Sequence, residues 1–408
     1  MKTGFRSRRA RRGIELLAIG FAAFPLVVAG AALYFVLTIS PMHTSADAVP
    51  SRVVAEPSEA WSAAVEQARR VARSMLKDEN LPGVSLAVAV DGRVVWAESF
   101  GWANVEHRVP ATPRTQFRIG AVSKPLTAAA AGLLHERGLL DLDAPVQRYL
   151  PTFPEKQWPI TTRQLMGHVA GVRVHRDEHE TLGTDHCGTT AEGLGLFAAD
   201  PLRFRPGTRY RYSTYGWILV SAVVEAAAND PFFLFIQREV FEPLAMNDTR
   251  PDAAGRDVPN RASFYFPRLA TRTALGLHPT RPVDYSCFSG GGAFLSTPSD
   301  LVRFGSAMMS GTLLRPGTVA LLQTPLRLES GASTSYGLGW KIETVTLRGA
   351  PARLIGHDGS PFGATASLMA FPDHRLAIAV TSNVSFANGV APFGLKLAEL
   401  FAPAPHSN

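Results

Sequence analysis

The run FRIGAVSKPLTAAAAGLL, residues 117–134, passes from a strand-like end into a helical pattern carrying Lys124 near its start. A lysine in that place suits a hydrolase that pairs an amine with a hydroxyl three residues earlier, because positions i and i+3 share a helix face. The neutral amine takes the hydroxyl proton, and the positive end of the helix favours the negative charge that develops. Position 121, where the hydroxyl would stand, is alanine. Acyl-transfer chemistry is thus provided with a base and denied its attacking atom.

Two later stretches offer the remaining parts of such a site. Arg209–Gly216 follows the turn Pro206-Gly207-Thr208, and within it Tyr212 supplies a phenol for proton transfer. Thr214 supplies a hydroxyl where a carboxamide would otherwise meet a substrate amide. Further on, Gly356-His357-Asp358-Gly359-Ser360 ends a strand-like run, and small residues such as Gly359 let a substrate lie against a strand edge. The backbone N–H groups of Ser360 and of residue 121 are expected to form the two halves of an oxyanion hole, with His357 pointing into the cleft.

Other candidates carry less. Ser123 lies two residues beyond Ala121, about 200° around the helix, so it faces away from Lys124's partner position. Ser74-Met75-Leu76-Lys77 has the literal spacing but sits near a helix end before Asp78 and Pro82, where chance explains it. His175 and His179 have the i, i+4 spacing of metal ligands on a helix. Their segment, His175 to Cys187, runs through Gly183-Thr184 and has the composition of a solvated loop, so no metal is expected. Cys187 and Cys287 either pair or stay apart; their positions in the chain leave both open.

In order, spacing and flanking residues the chain resembles the serine β-lactamase-like family, which includes class C β-lactamases, penicillin-binding DD-peptidases and related esterases. The resemblance is carried by 81–90, FGWANVEHRVP at 100–110, the helix at 117–134, GLLDLDAPVQRYL at 138–150 and the stretch 161–171. RPGTRYRYSTYGW at 205–217, SGGGAFLSTPSDLVRF at 289–304 and 356–359 complete it. It implies acyl-enzyme chemistry on small-molecule or peptide substrates (amides, peptides, esters, lactams) without a metal or an organic cofactor. It places Lys124 at the lysine position, Tyr212 at the catalytic tyrosine and His357 at the cation of the third motif. Thr214 departs from the commoner asparagine, and Ala121 departs from the nucleophilic serine. Two functions follow as expectations: a hydrolase homologue impaired at residue 121, or a non-catalytic ligand-binding or assembly module.

The elements that would position these residues are legible as well. An apolar helical repeat over Glu59–Lys77 precedes two β-rich runs, 83–90 and 93–100, joined by Asp91-Gly92, a strong hairpin signal. Residues 121–250 are mostly helical in pattern; strand-like runs return at 336–343, 353–356, 364–371 and 376–382, and an apolar helix closes the chain at 390–400. The expected fold is α/β (α+β): an antiparallel sheet flanked by helices, assembled from both chain ends, with a mostly helical lobe inserted between them. Residues 58–404 form that domain.

Ahead of it, six of the 41 basic residues fall within the first twelve positions, and 24 residues without a charge follow at 16–39. Without residues 1–15 the chain keeps 35 basic and 33 acidic residues, too even a balance for a nucleic-acid partner. A helix of 24 residues spans roughly 36 Å, enough for a bilayer core. The expectation is a basic cytoplasmic tail (1–13), a transmembrane signal anchor (14–39), a linker (40–57) and a domain on the far side of the membrane. A cleaved signal peptide is the alternative.

Overall fold

The computed structural model describes residues 24–34, 37, 39, 41–54, 56–175, 185–252 and 258–403. The chain divides into two units, Met1–Met42 and His43–Asn408. Of the first, Phe24–Tyr34 is a short apolar helix, and among the described residues no single helix is long and apolar enough to cross a membrane. The basic tail and half of the expected anchor (14–23, 35, 36 and 38) lie outside the described residues.

The second unit is built on an antiparallel sheet. Its strands are β1 (Ser51–Val53), β2 (Gly83–Val90), β3 (Arg93–Asn104), β4 (Lys341–Leu347), β5 (Ala350–Gly359), β6 (Thr365–Phe371) and β7 (Leu376–Ser382), ordered β1-β3-β2-β7-β6-β5-β4. A short strand, Val109–Pro110, adds to β3. The two chain ends meet where β2 pairs with β7, Val88 opposite Ile378. Asp91 and Gly92 both take positive φ, 51° and 77°, as a tight hairpin between right-twisted strands requires.

The longer helices are α1 (Ser62–Asp78), α2 (Ser123–Glu136), α3 (Thr214–Ala228), α4 (Pro298–Ser310) and α5 (Val390–Phe401). Every residue of β2 and β7 is buried, so the alternation along them is one of size rather than polarity. Val84, Leu86 and Val88, with Leu376, Ile378 and Val380, share a core with residues of α1 and α5. Ala87, Ala89, Ala377 and Ala379 belong instead to the core that holds α4 and the helical lobe. Small side chains there bring α4 close: a Cβ added at Gly305 would sit 3.3 Å from Ala377 Cβ. Each large aliphatic side chain buried on the first face contributes about 1.5–3 kcal/mol.

The inserted lobe has α2 and α3 as its buried core and joins them with short turns such as Thr162–Met166 and Thr190–Leu194. The middle of the chain is therefore helical at its centre and irregular around it. A disulfide links Cys187 to Cys287. The strand expected at 336–343 begins only at Lys341, because 336–340 packs onto the lobe instead. Gly339, at φ 91°, leaves no room for a side chain beside Trp217, whose Cη2 would be 2.7 Å from an added Cβ.

Candidate active site

Residues Gly120–Val122 form a 3₁₀ turn leading directly into α2, which places Ala121 just before the helix and Lys124 in its first turn. Lys124 is fully buried. Its Nζ donates to the Gly291 carbonyl at 2.8 Å and lies 3.3 Å from Thr214 Oγ1. It also stands 4.9 Å from the centroid of the Tyr212 ring. Burial disfavours the ammonium and lowers this lysine from 10.5 to about 7. An amine that shares its proton with water near neutrality is the result.

The end of β5 is pressed against this turn. A Cβ at Gly359 would fall 1.9 Å from Ile119 O and 3.2 Å from Ala121 N, so only glycine lets the strand pass. That approach brings Ser360 beside Ala121. Between them opens a cavity of about 380 Å³ whose polar floor comprises Ala121, Lys124, Thr214, Gly291 and Ser360. Its remaining wall is largely aromatic.

The Gly291 carbonyl belongs to the 3₁₀ segment Ser286–Gly291, in which Ser289 holds the strained pair φ 43°, ψ −132°. Gly290 is packed so that an added Cβ would meet Thr127 Oγ1 at 2.2 Å and Ser221 Oγ at 2.8 Å. Those hydroxyls bond to it directly: Thr127 donates to the Gly290 carbonyl and Ser221 accepts its N–H. Gly291 thus owes its place to three glycines in a row and to two buried hydroxyls.

Behind Lys124 lies a stack of rings. Tyr212 packs on His168 with centroids 4.1 Å apart, and His168 also faces Tyr336 at 4.8 Å. His168 takes φ 59° and accepts the Ser213 N–H on Nδ1, which fixes the backbone between Tyr212 and Thr214. Burial raises the Tyr212 phenol well above its usual range, so it keeps its proton. Tyr336 is raised for the same reason.

His357 departs from expectation. It is 3% exposed and stands outside the residues that line the cavity. Its Nδ1 donates to the Asp358 carbonyl at 2.7 Å, leaving Nε2 to accept from the Tyr336 hydroxyl at 2.9 Å. Burial, reinforced by nearby Lys124, lowers it to about 3, so the ring is neutral and no cation stands at position 357. The Asp358 carboxylate, on the opposite side of β5, meets Lys341 and Ser367 instead.

Of the remaining candidates, Ser123 is buried and lies outside the cavity lining. Ser74 and Lys77 are exposed on α1, Lys77 against Asp78 at 3.1 Å. His175 lines the cavity, its ring 4.6 Å from Tyr215, while His179 falls outside the described residues. Among the described residues no group of three His, Cys, Asp or Glu is placed to hold a metal ion. Sequence reasoning missed Gly291, His168 and Tyr336 as members of the site. The first two lie in stretches that carry the family resemblance, but a glycine carbonyl and a buried ring have no chemical signature of their own.

Residues 68–401 match the Beta-lactamase family, and the chain belongs to it. A mitochondrial serine beta-lactamase-like protein of Mus musculus is 29% identical over 420 residues, covering 79% of this chain and 75% of that protein. Penicillin-binding protein 4* of Bacillus subtilis is 26% identical over 313 residues, covering 73% and 67%. The octameric penicillin-binding protein homologue from Pyrococcus abyssi superposes with a TM-score of 0.69 at 24% identity, covering 81% of this chain and 76% of that one. That last likeness shows the fold. The protein is a member of a serine hydrolase family with alanine where the reading above expects the serine.

Proposed function

We propose that the cavity binds small carbonyl compounds (amides, esters or lactams) and polarises them without acylation at residue 121. The observation that carries this reading is Ala121 itself, set beside a buried near-neutral lysine and the tip of β5 in an otherwise furnished site. Lys124 already meets Gly291 and Thr214, which leaves a hydrogen-bonding position on Nζ for a hydroxyl at position 121. The N–H groups of Ala121 and Ser360 would hold the carbonyl oxygen; Tyr212, outside the residues that line the cavity, would act through its ring against Lys124. Loss of a serine nucleophile costs a serine protease roughly 10⁶ in turnover.

The test is labelling by an uncharged alkylfluorophosphonate. It should label Ala121→Ser at residue 121 and leave the unaltered chain blank. A blank result for both proteins would remove the reading, because the pocket would then lack the geometry for acylation.

We place the domain outside the cytoplasm on a single N-terminal anchor. The charge-free run at 16–39 behind six basic residues supports this, as does the Cys187–Cys287 disulfide, which suits an oxidising compartment. Carbonate-resistant membrane association, with the domain open to protease added from the far side, is the expected result. A soluble product starting at Val49, after Ala46-Asp47-Ala48, would identify a cleaved signal peptide instead.

A further inference from the structure

We propose that the cavity selects uncharged carbonyl ligands that carry an arylmethyl group on the carbonyl carbon, clamped by Phe266, Phe362 and Phe386, and discriminates against ligands that carry a carboxylate on the amide side. This rests on the reading that the cavity binds a carbonyl compound and names the class it takes.

Phe386 is 40% exposed and holds φ 62°, a conformation that costs a non-glycine aromatic residue and that its own burial does not repay. It faces Phe266 edge-on at 5.5 Å, and Phe266 lies 4.9 Å from Phe362. All three line the cavity. Rings so arranged offer both edges and faces to a flat guest.

The clamp is held before any ligand arrives. Gly363 N–H donates to Ser385 Oγ at 2.7 Å, tying the loop of Phe362 to the loop of Phe386. Phe362 N–H donates to Tyr285 Oη at 2.8 Å, and Arg118 Nη1 donates to the Phe362 carbonyl at 3.0 Å. Ala387 N–H reaches Thr365 Oγ1, whose own proton goes to the Val384 carbonyl. Such bonds fix the rings at no cost to the guest, which is how a preorganised site gains affinity.

A carboxylate finds no counterpart here. Among the described residues lining the cavity Lys124 is the sole lysine or arginine, and its buried Nζ is already held by the Gly291 carbonyl and Thr214 Oγ1. Arg118, the cation behind the wall, is committed to Asp252 at 2.6 Å and lies over the Phe264 ring at 4.1 Å. An anion in this aromatic wall would lose its hydration without a partner.

The experiment uses the unaltered chain and three amides: acetamide, phenylacetamide and phenylacetylglycine, with binding read by calorimetry. Phenylacetamide should bind at least tenfold more tightly than either of the others, and Phe386→Ala should erase most of that margin. Because Phe386 is partly exposed, this variant should fold; Phe266→Leu provides a second probe. Equal or tighter binding of phenylacetylglycine, or an unchanged margin in Phe386→Ala and Phe266→Leu, would overturn the proposal. Fluorophosphonate labelling of Ala121→Ser separates the two levels. If that variant is labelled and the aryl preference is absent, the clamp alone is refuted. If it is not labelled and no amide binds, the carbonyl site falls with it.

Discussion

Lys124 is enclosed on every side, and its bonds go to a hydroxyl and a carbonyl rather than a carboxylate. The free energy of that choice can be read in two ways. In Ala121→Ser the amine must be unprotonated to accept the serine proton. The rate constant kcat/KM should therefore rise about tenfold per pH unit below 7 and level above it, following a lysine lowered to about 7. Stability carries the same signature with a definite sign. Below pH 7 the fold must hold a buried charge that the unfolded chain holds in water, so the cost is fully present. Between about 7 and 10.5 the folded protein has already lost the proton while the unfolded chain still binds it, and the cost fades. At about 1.4 kcal/mol per unit the full cost is roughly 5 kcal/mol, less about 1 kcal/mol for each hydrogen bond lost with the amine. Lys124→Met should therefore gain about 2–4 kcal/mol at pH 6 and lose about 1 kcal/mol at pH 10, measured by urea unfolding. Lys124 and Ser360 were legible from helix spacing and a strand-end glycine pair, and Thr214 from its place two residues after Tyr212. The neutrality of His357 was not. It depends on Tyr336, 21 residues away in the chain, and on Asp358 facing the other side of the strand.

At the scale of elements, the site is the junction of a strand end with a helix start, and glycine is what allows the junction. Gly359→Ala would drive a methyl group into Ile119 O, so β5 would have to withdraw from the turn at Gly120–Val122. In the Ala121→Ser background the expected outcome is loss of fluorophosphonate labelling with the melting temperature lowered by several degrees. Retained labelling would mean that the close approach is dispensable. The hairpin of β2 and β3 could be read from residues, since it follows from local turn chemistry. The course of 336–340 could not. Its glycines look like turn residues, and contact with Trp217 on α3, with backbone bonds from Leu338 to Leu322 and from Gly339 to Met166, explains why the strand waits until Lys341.

For the whole molecule, both chain ends build the sheet and the segment between them supplies most of the floor of the site. The two halves of that segment are stapled by Cys187–Cys287, 100 residues apart. Chain-entropy reasoning assigns a cross-link of that span roughly 4–5 kcal/mol. Unfolding in urea under reducing conditions should shift to lower concentration by a corresponding amount. An unchanged midpoint would show that the packing of α2 and α3 carries the lobe without it. The pairing could not be deduced from sequence, because it depends on the fold bringing 185–187 against 284–287, where His186 meets Asp284 at 2.7 Å.

The most direct measurement is the intact mass of the unaltered chain after prolonged incubation with the alkylfluorophosphonate, beside Ala121→Ser. A site complete except for its attacking oxygen should leave the unaltered chain at its own mass while the serine variant gains one adduct at residue 121. An adduct on the unaltered chain, mapped to any side chain of the cavity, would contradict that reading.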